Sequence, residues 1–184
     1  MSSSLKASIR HASLRCHPAS LCEPVREIRV AAQRLSESEL KINYQLLGGV
    51  SSIIVPDLSE ASRRDELWRH TCAEMYIGVP ESEAYFEFNF SPSAQWAAYE
   101  FTSYRQGMRA ADCIAPQIVT TRSEHELLMI VMVSLPAQLE SFTRLQIGIS
   151  TVIEESVGQC SYWALRHDAD RPDFHNRDGF VLNL

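Results

Sequence analysis

Lysine is almost missing from this chain. Of its 17 basic residues only Lys6 and Lys41 are lysine and the other 15 are arginine, a skew that reads as compositional drift, with some guanidinium forks available to grip hydroxyls or carboxylates. Excess positive charge is missing too. A net charge of −6 and a pI near 5.5 argue against nucleic acid or an anionic membrane as the main partner, since both reward a basic patch. No apolar run approaches the length of a membrane span, and the first twenty residues lack the apolar segment of a secretory signal, which predicts a cytoplasmic protein. Cysteine is sparse and odd in number: Cys16, Cys22, Cys72, Cys113 and Cys160 are widely scattered, a pattern of reduced thiols rather than of a disulfide framework. Catalytic and cofactor signatures are absent as well: there is no G-x-S-x-G, G-x-G-x-x-G, phosphate loop, C-x-x-C or H-E-x-x-H, which removes the specific reasons for proposing an enzyme. Neither an internal repeat nor a low-complexity tract is found.

What is present is alternation with a period of two, the mark of strands. In Leu67 to Val79, the residues Leu67, Thr71, Met75, Ile77 and Val79 oppose Trp68, His70, Cys72, Glu74 and Tyr76. Tyr85 to Phe90 sets Phe86, Phe88 and Phe90 against Tyr85, Glu87 and Asn89. Further strands are predicted at 25–34, 40–46, 95–101, 117–122, 126–135, 145–155, 160–167 and 179–184, and LLMIVMVSL, apolar on both faces, reads as a central strand. The prediction is a single all-β domain over 14–184, an antiparallel β-sandwich of the jelly-roll or immunoglobulin-like kind with nine to ten strands. Residues 1–13 are predicted to form a flexible or irregular arm, and 103–116 a long loop.

The face bearing Trp68, His70, Glu74 and Tyr76 does not read as a solvent face; it suits a concave surface that grips a polar ligand with an apolar body. Trp68 followed by Arg69 and His70 is the combination that holds a sugar ring, stacking its apolar side and hydrogen-bonding its hydroxyls. Glu74 and Glu87 fall on adjacent strands and can accept hydroxyls or, alternatively, act as an acid and base pair on a saccharide. Trp96 reads either as core or as a second aromatic contact. His70 and Cys72 have no third partner at a metal-site spacing. The segment His167 to His175, rich in Asp and His, reads as a polar turn, with Asp173, Phe174 and His175 open as site residues.

The stretches HP at 17–18, LWRHTCAEMYIG, YFEFNFSPSAQWAAYEF, YRQGM, SYWALRH and RPDFHNRDGFVLNL resemble bacterial DOMON-like proteins related to family-9 carbohydrate-binding modules, over residues 14–184. The resemblance implies a β-sandwich of DOMON type that binds sugars or haem. It implies that Trp68, six residues before Glu74, stacks on a sugar while Glu74 takes hydroxyls; a second stacking tryptophan near the C-terminus is missing, and Phe174 is the nearest aromatic. Calcium buttresses loops in some relatives, and its ligands are not placed here. In haem-binding relatives Met and His are axial ligands, which nominates His70, Met75 and Met108; Met75 falls on the predicted core face, which leaves Met108 with His70.

The expected function is a non-catalytic module for a carbohydrate or sugar-like metabolite, with Trp68, Arg69, His70, Glu74, Glu87, Asn89, Trp96, Phe174 and His175 as contacts. The alternatives are a haem-binding redox domain, a saccharide-acting enzyme using Glu74 and Glu87, or an oligomerisation domain using the same face. Whether that face is open or filled by the loop from Tyr104 to Pro116 is left undecided by the sequence.

Overall fold

The computed structural model describes residues 8–184. Twelve antiparallel strands follow one another: β1 (Arg10–Cys16), β2 (Val25–Ser36), β3 (Glu39–Gly48), β4 (Cys72–Gly78), β5 (Tyr85–Phe90), β6 (Trp96–Phe101), β7 (Arg109–Ala110), β8 (Gln117–Arg122), β9 (Glu126–Ser134), β10 (Gln146–Glu154), β11 (Cys160–Ala164) and β12 (Leu182–Asn183). Helix among the described residues amounts to one four-residue turn, Ala137–Glu140, and short 3₁₀ turns.

The strands join in one path, β7-β6-β5-β4-β10-β11-β1-β2-β3-β9-β8, with β12 added beside β10. β1 is the joint of this path. Its residues Arg10 to Leu14 pair with β2, whereas Arg15 and Cys16 pair with Ala164 and Trp163 of β11. The path curls so that inner faces of its two halves meet. Leu40, Ile42 and Leu46 of β3 and Leu127, Met129, Val131 and Val133 of β9 share one core with Met75 and Ile77 of β4, Phe88 and Phe90 of β5, and Ile147 and Ile149 of β10. Each such side chain contributes roughly 1.5–3 kcal/mol through its removal from water. Tyr44, buried in this core, donates its hydroxyl across the gap to the Glu74 carbonyl at 3.0 Å.

Two expectations are corrected. Residues 10–13, predicted to lie in an irregular arm, are part of β1, where the ladder to β2 supplies their backbone with partners; the rest of that arm, apart from residues 8 and 9, lies outside the described residues. The strand predicted from Leu67 starts only at Cys72. Glu66 adopts a left-handed conformation (φ 63°) and Leu67–Arg69 closes a 3₁₀ turn, so the alternation of Trp68 and His70 with Cys72 is not the alternation of one strand.

β4 is buried along its whole length. One side is the core just described. The other is covered in part by residues 165–184, which run back over β4, β5 and β10. Arg177 fastens this segment: its guanidinium donates to the carbonyls of Ser82, Ala84 and Val79 and to Gln146 Oε1 at 2.7–3.1 Å. Two glycines make the necessary room. A Cβ on Gly78 would fall 2.5 Å from the Arg177 guanidinium carbon, and one on Gly148 would fall 2.7 Å from the Phe180 ring. Buried His17 adds a second fastening, accepting the Ala19 N–H at Nδ1 and therefore donating from Nε2 to the Ala169 carbonyl, 3.1 Å away.

Candidate ligand pocket

The part of this face left uncovered is a cavity of about 800 Å³. Its floor comes from β4 and β5, where Glu74, Tyr76 and Glu87 project to the same side because β4 pairs antiparallel with β5, Tyr76 opposite Glu87 and Glu74 opposite Asn89. Tyr99 and Phe101 of β6, Val152 of β10 and Tyr162 of β11 extend the lining. Trp68, in the 3₁₀ turn ahead of β4, also lines it, and Pro172, Phe174 and His175 of the C-terminal segment add a further wall. Arg105 and Met108 enter from the long loop, so that loop borders the cavity and does not fill it.

The floor is polar, buried and acidic. Glu74 is 2% exposed; its Oε2 accepts hydrogen bonds from the Tyr76 hydroxyl at 2.9 Å and the Ser150 hydroxyl at 3.1 Å. Burial, followed by the nearby Glu87 charge, pushes the Glu74 carboxyl well above the usual carboxylate range. Burial also raises Glu87, and the Asn89 amide, donating to Glu87 Oε1 at 2.7 Å, only partly counteracts it. His175 goes the other way: burial, then the Arg105 charge, lower it to about 4, so it is a neutral imidazole at pH 7. Arg105 donates its backbone N–H to the Tyr85 hydroxyl at 3.2 Å, which leaves the phenolic proton for His175 Nδ1, 2.8 Å away. The imidazole proton then sits on Nε2, 3.8 Å from Glu87 Oε2, too far for a hydrogen bond and between groups that are not both charged.

Around the rim, charge is tied up in pairs. Asp173 accepts from Arg105 at 2.9 Å and from the Tyr104 hydroxyl at 2.7 Å; these bonds outweigh the opposing effect of burial and hold its carboxyl below the usual range. Tyr99 donates to Asp65 at 2.6 Å, and burial followed by this bond raises the phenol. Glu66 is bound to Arg69 at 2.7 Å. Trp68 stays 47% exposed with the Arg69 guanidinium 5.3 Å above its ring. A polar floor set between aromatic walls can grip a small ligand by its hydroxyls or charged groups while covering its apolar faces.

Of the residues nominated from the sequence, Trp68, Glu74, Glu87, Phe174 and His175 come together at this cavity. Asn89 is fully buried behind the floor and orients Glu87. Trp96 is 7% exposed and belongs to the core, with Arg63 stacked on its ring. Arg69 and His70 line a separate hollow beside the 3₁₀ turn, where His70 Nδ1 lies 2.8 Å from the Glu154 carboxylate; His70 was placed on the face of Trp68 because the turn was read as strand, and Arg69, nominated as its neighbour, does stack on the Trp68 ring. Sequence reasoning missed Tyr99, Phe101, Arg105 and Tyr162. The first two were legible, since they follow β5 in the same hairpin and share its aromatic spacing. Arg105 and Tyr162 reach the cavity only through tertiary pairing.

The haem nominees do not fit one another: Met75 is fully buried in the core, Met108 borders the main cavity at 63% exposure, and His70 lies in the separate hollow. Among the described residues no group of three or more His, Cys, Asp or Glu gathers as a metal site. Asp168, in the polar turn, accepts from Arg166 at 2.6 Å.

No protein-family model and no curated protein matches this sequence. Solved structures do match its fold. A candidate carbohydrate-binding protein from Bacteroides uniformis is similar with a TM-score of 0.70 at 9% identity, over 94% of this chain and 84% of that one. A family-9 carbohydrate-binding module from Caldicellulosiruptor kristjanssonii is similar in its glucose complex (TM-score 0.48, 9% identity, 83% of this chain and 73% of that one) and in its cellotriose complex (0.45, 9%, 83% and 71%). At this identity the likeness to the Bacteroides protein shows a common all-β antiparallel architecture.

Proposed function

We propose that this domain is a non-catalytic binding module of DOMON-like, sandwich type whose ligand is a carbohydrate or sugar-like metabolite, seated in the cavity over β4, β5 and β6. The observation that carries the reading is the composition of that cavity. Two buried carboxyl groups form its floor and aromatic rings its walls, the arrangement that takes hydroxyls at one edge of a sugar and covers its apolar face. The Bacteroides neighbour, itself a candidate carbohydrate-binding protein, agrees with it. Trp68 is the stacking residue in this reading, Phe174 adds a second aromatic surface from the C-terminal segment, and Glu74 and Glu87 accept hydroxyl protons. The five cysteines are unbridged, and we place the domain in the cytosol, which favours a small or activated sugar over an insoluble polysaccharide.

Isothermal titration with monosaccharides, disaccharides and nucleotide sugars tests this. A ligand of roughly millimolar to micromolar affinity is expected, about −4 to −8 kcal/mol. Because Trp68 is half exposed, Trp68→Ala is expected to remove the binding and leave the melting temperature within about 2 °C, as for a surface change. Absence of binding across the panel, or binding undiminished in the variant, refutes the reading as stated.

A further inference from the structure

The hydrogen bonds of the acidic floor leave one oxygen spare on each carboxyl. Glu74 spends Oε2 on Tyr76 and Ser150, and Glu87 spends Oε1 on Asn89. Glu74 Oε1 has no protein partner and is not sealed off, and Glu87 Oε2 has only the distant His175 ring. Both residues line the cavity. No guanidinium hydrogen-bonds to them: Arg105, whose charge acts on Glu87 from a distance, is engaged by Asp173 and Tyr104, Arg69 is held by Glu66 and Arg177 by four acceptors beneath the C-terminal segment, and Arg171 lines the cavity without a bond to either carboxyl. The rings of Trp68, Tyr76, Tyr99, Phe101, Tyr162 and Phe174 line the same cavity.

A neutral hydroxyl has one proton to donate and no charge to offer. It satisfies one spare oxygen and leaves two buried acids competing to remain protonated. An ammonium group has three donors and a positive charge. It can bond both spare oxygens, lets both carboxyls ionise, and is attracted by the electron-rich faces of the surrounding rings, the recognised chemistry of aromatic cages. We infer that the cavity takes a ligand bearing a protonated amine, an amino sugar in preference to its neutral counterpart, with the ammonium between Glu74 Oε1 and Glu87 Oε2. This rests on the carbohydrate reading for the sugar part alone; the amine part stands on the carboxyl and ring geometry.

The test titrates the full chain at pH 7 with glucosamine, glucose, N-acetylglucosamine and 1,4-diaminobutane, and repeats it with Glu74→Gln and Glu87→Gln. Glucosamine is expected to bind at least about tenfold more tightly than glucose, a difference an ammonium held by a carboxylate and aromatic faces readily supplies. N-acetylglucosamine, whose amine is capped and uncharged, should lose that advantage, and so should glucosamine in either Gln variant. Glucose binding as tightly as glucosamine overturns the inference and leaves the carbohydrate reading standing. The diamine binding where none of the sugars do upholds the amine and overturns the sugar. Silence from all four overturns both. The wild-type comparison of glucosamine with its acetylated form decides the matter even if a Gln variant fails to fold.

Discussion

Replacing Glu74 with Gln should make the free protein more stable, and increasingly so as pH rises. The side chain is 2% exposed and its carboxyl is raised above the ordinary value of 4.5 by burial and by Glu87. A carboxyl held higher in the folded than in the unfolded chain binds more protons when folded, so its contribution to stability is present below the unfolded value and is lost as pH climbs toward the folded one. One whole proton of difference makes the slope about −1.4 kcal/mol per pH unit. Allowing the proton to be divided between Glu74 and Glu87, about 2 kcal/mol should be lost between pH 5.5 and 8.5, half or less of the full slope. Gln keeps the acceptor for Tyr76 and Ser150, turns its amide to the open cavity and cannot ionise. The variant should therefore melt within a degree or two of the parent at pH 5.5 and about 4–8 °C above it at pH 8.5, for a domain of this size. The assay is differential scanning calorimetry of both proteins across that range, and only the difference matters, since other groups titrate in both. A difference that is flat with pH, or one that favours the parent at pH 8.5, would refute the placement of a buried, raised carboxyl on β4.

Other predictions concern the core, the C-terminal segment and the cavity wall. Arg34 is 4% exposed and its guanidinium donates to the carbonyls of Ser36, Glu37, Phe142 and, more distantly, Glu140; Arg34→Met should cost about 2–3 kcal/mol by leaving carbonyls without donors, read as a lower urea midpoint with an unchanged slope. Gly148→Ala drives a methyl into the Phe180 ring and should cost about 1–3 kcal/mol, loosening residues 165–184 as seen by hydrogen exchange. His175, lowered to about 4, should show no imidazole titration by NMR between pH 5 and 8; because the native state binds this proton poorly, its contribution is lost as pH falls from the unfolded value near 6.5 toward 4. A midpoint above 6 would contradict the burial of the ring.

The strands with one core face were readable because alternation survives in them: Leu40, Ile42, Tyr44 and Leu46 point inward as their spacing requires, and β5 begins and ends where Tyr85 and Phe90 placed it. LLMIVMVSL was less transparent. β9 lies next to the edge strand β8 rather than at the centre, and its second face, with Leu128, Ile130 and Met132, is only half covered. The segment 67–71 misled because a 3₁₀ turn entered through a left-handed Glu66 preserves apolar spacing over a few residues while redirecting the side chains. Of the nine nominated contacts, Glu74 and Glu87 reach the cavity because β4 and β5 are adjacent both in sequence and in space, while Trp68 enters from the turn ahead of β4 and Phe174 and His175 from the C-terminal segment. Arg105 arrives from the loop after β6 and Tyr162 from β11, and no local pattern announces them.

The fastening of residues 165–184 over β4, β5 and β10 also sets an order of events during synthesis. The floor carboxyls, the core strands and the first rim emerge from the ribosome well before Phe174, His175 and Phe180, so the nascent chain carries its acidic pair in water, hydrated and ionised. The C-terminal wall is held down by Arg177 on the carbonyls at the β4–β5 turn, and closing it dehydrates the pair. Ligand recognition is thereby postponed until residues 165–184 are in place, and a molecule that neutralises the pair would act on the newborn domain as a folding aid, drawing that segment down.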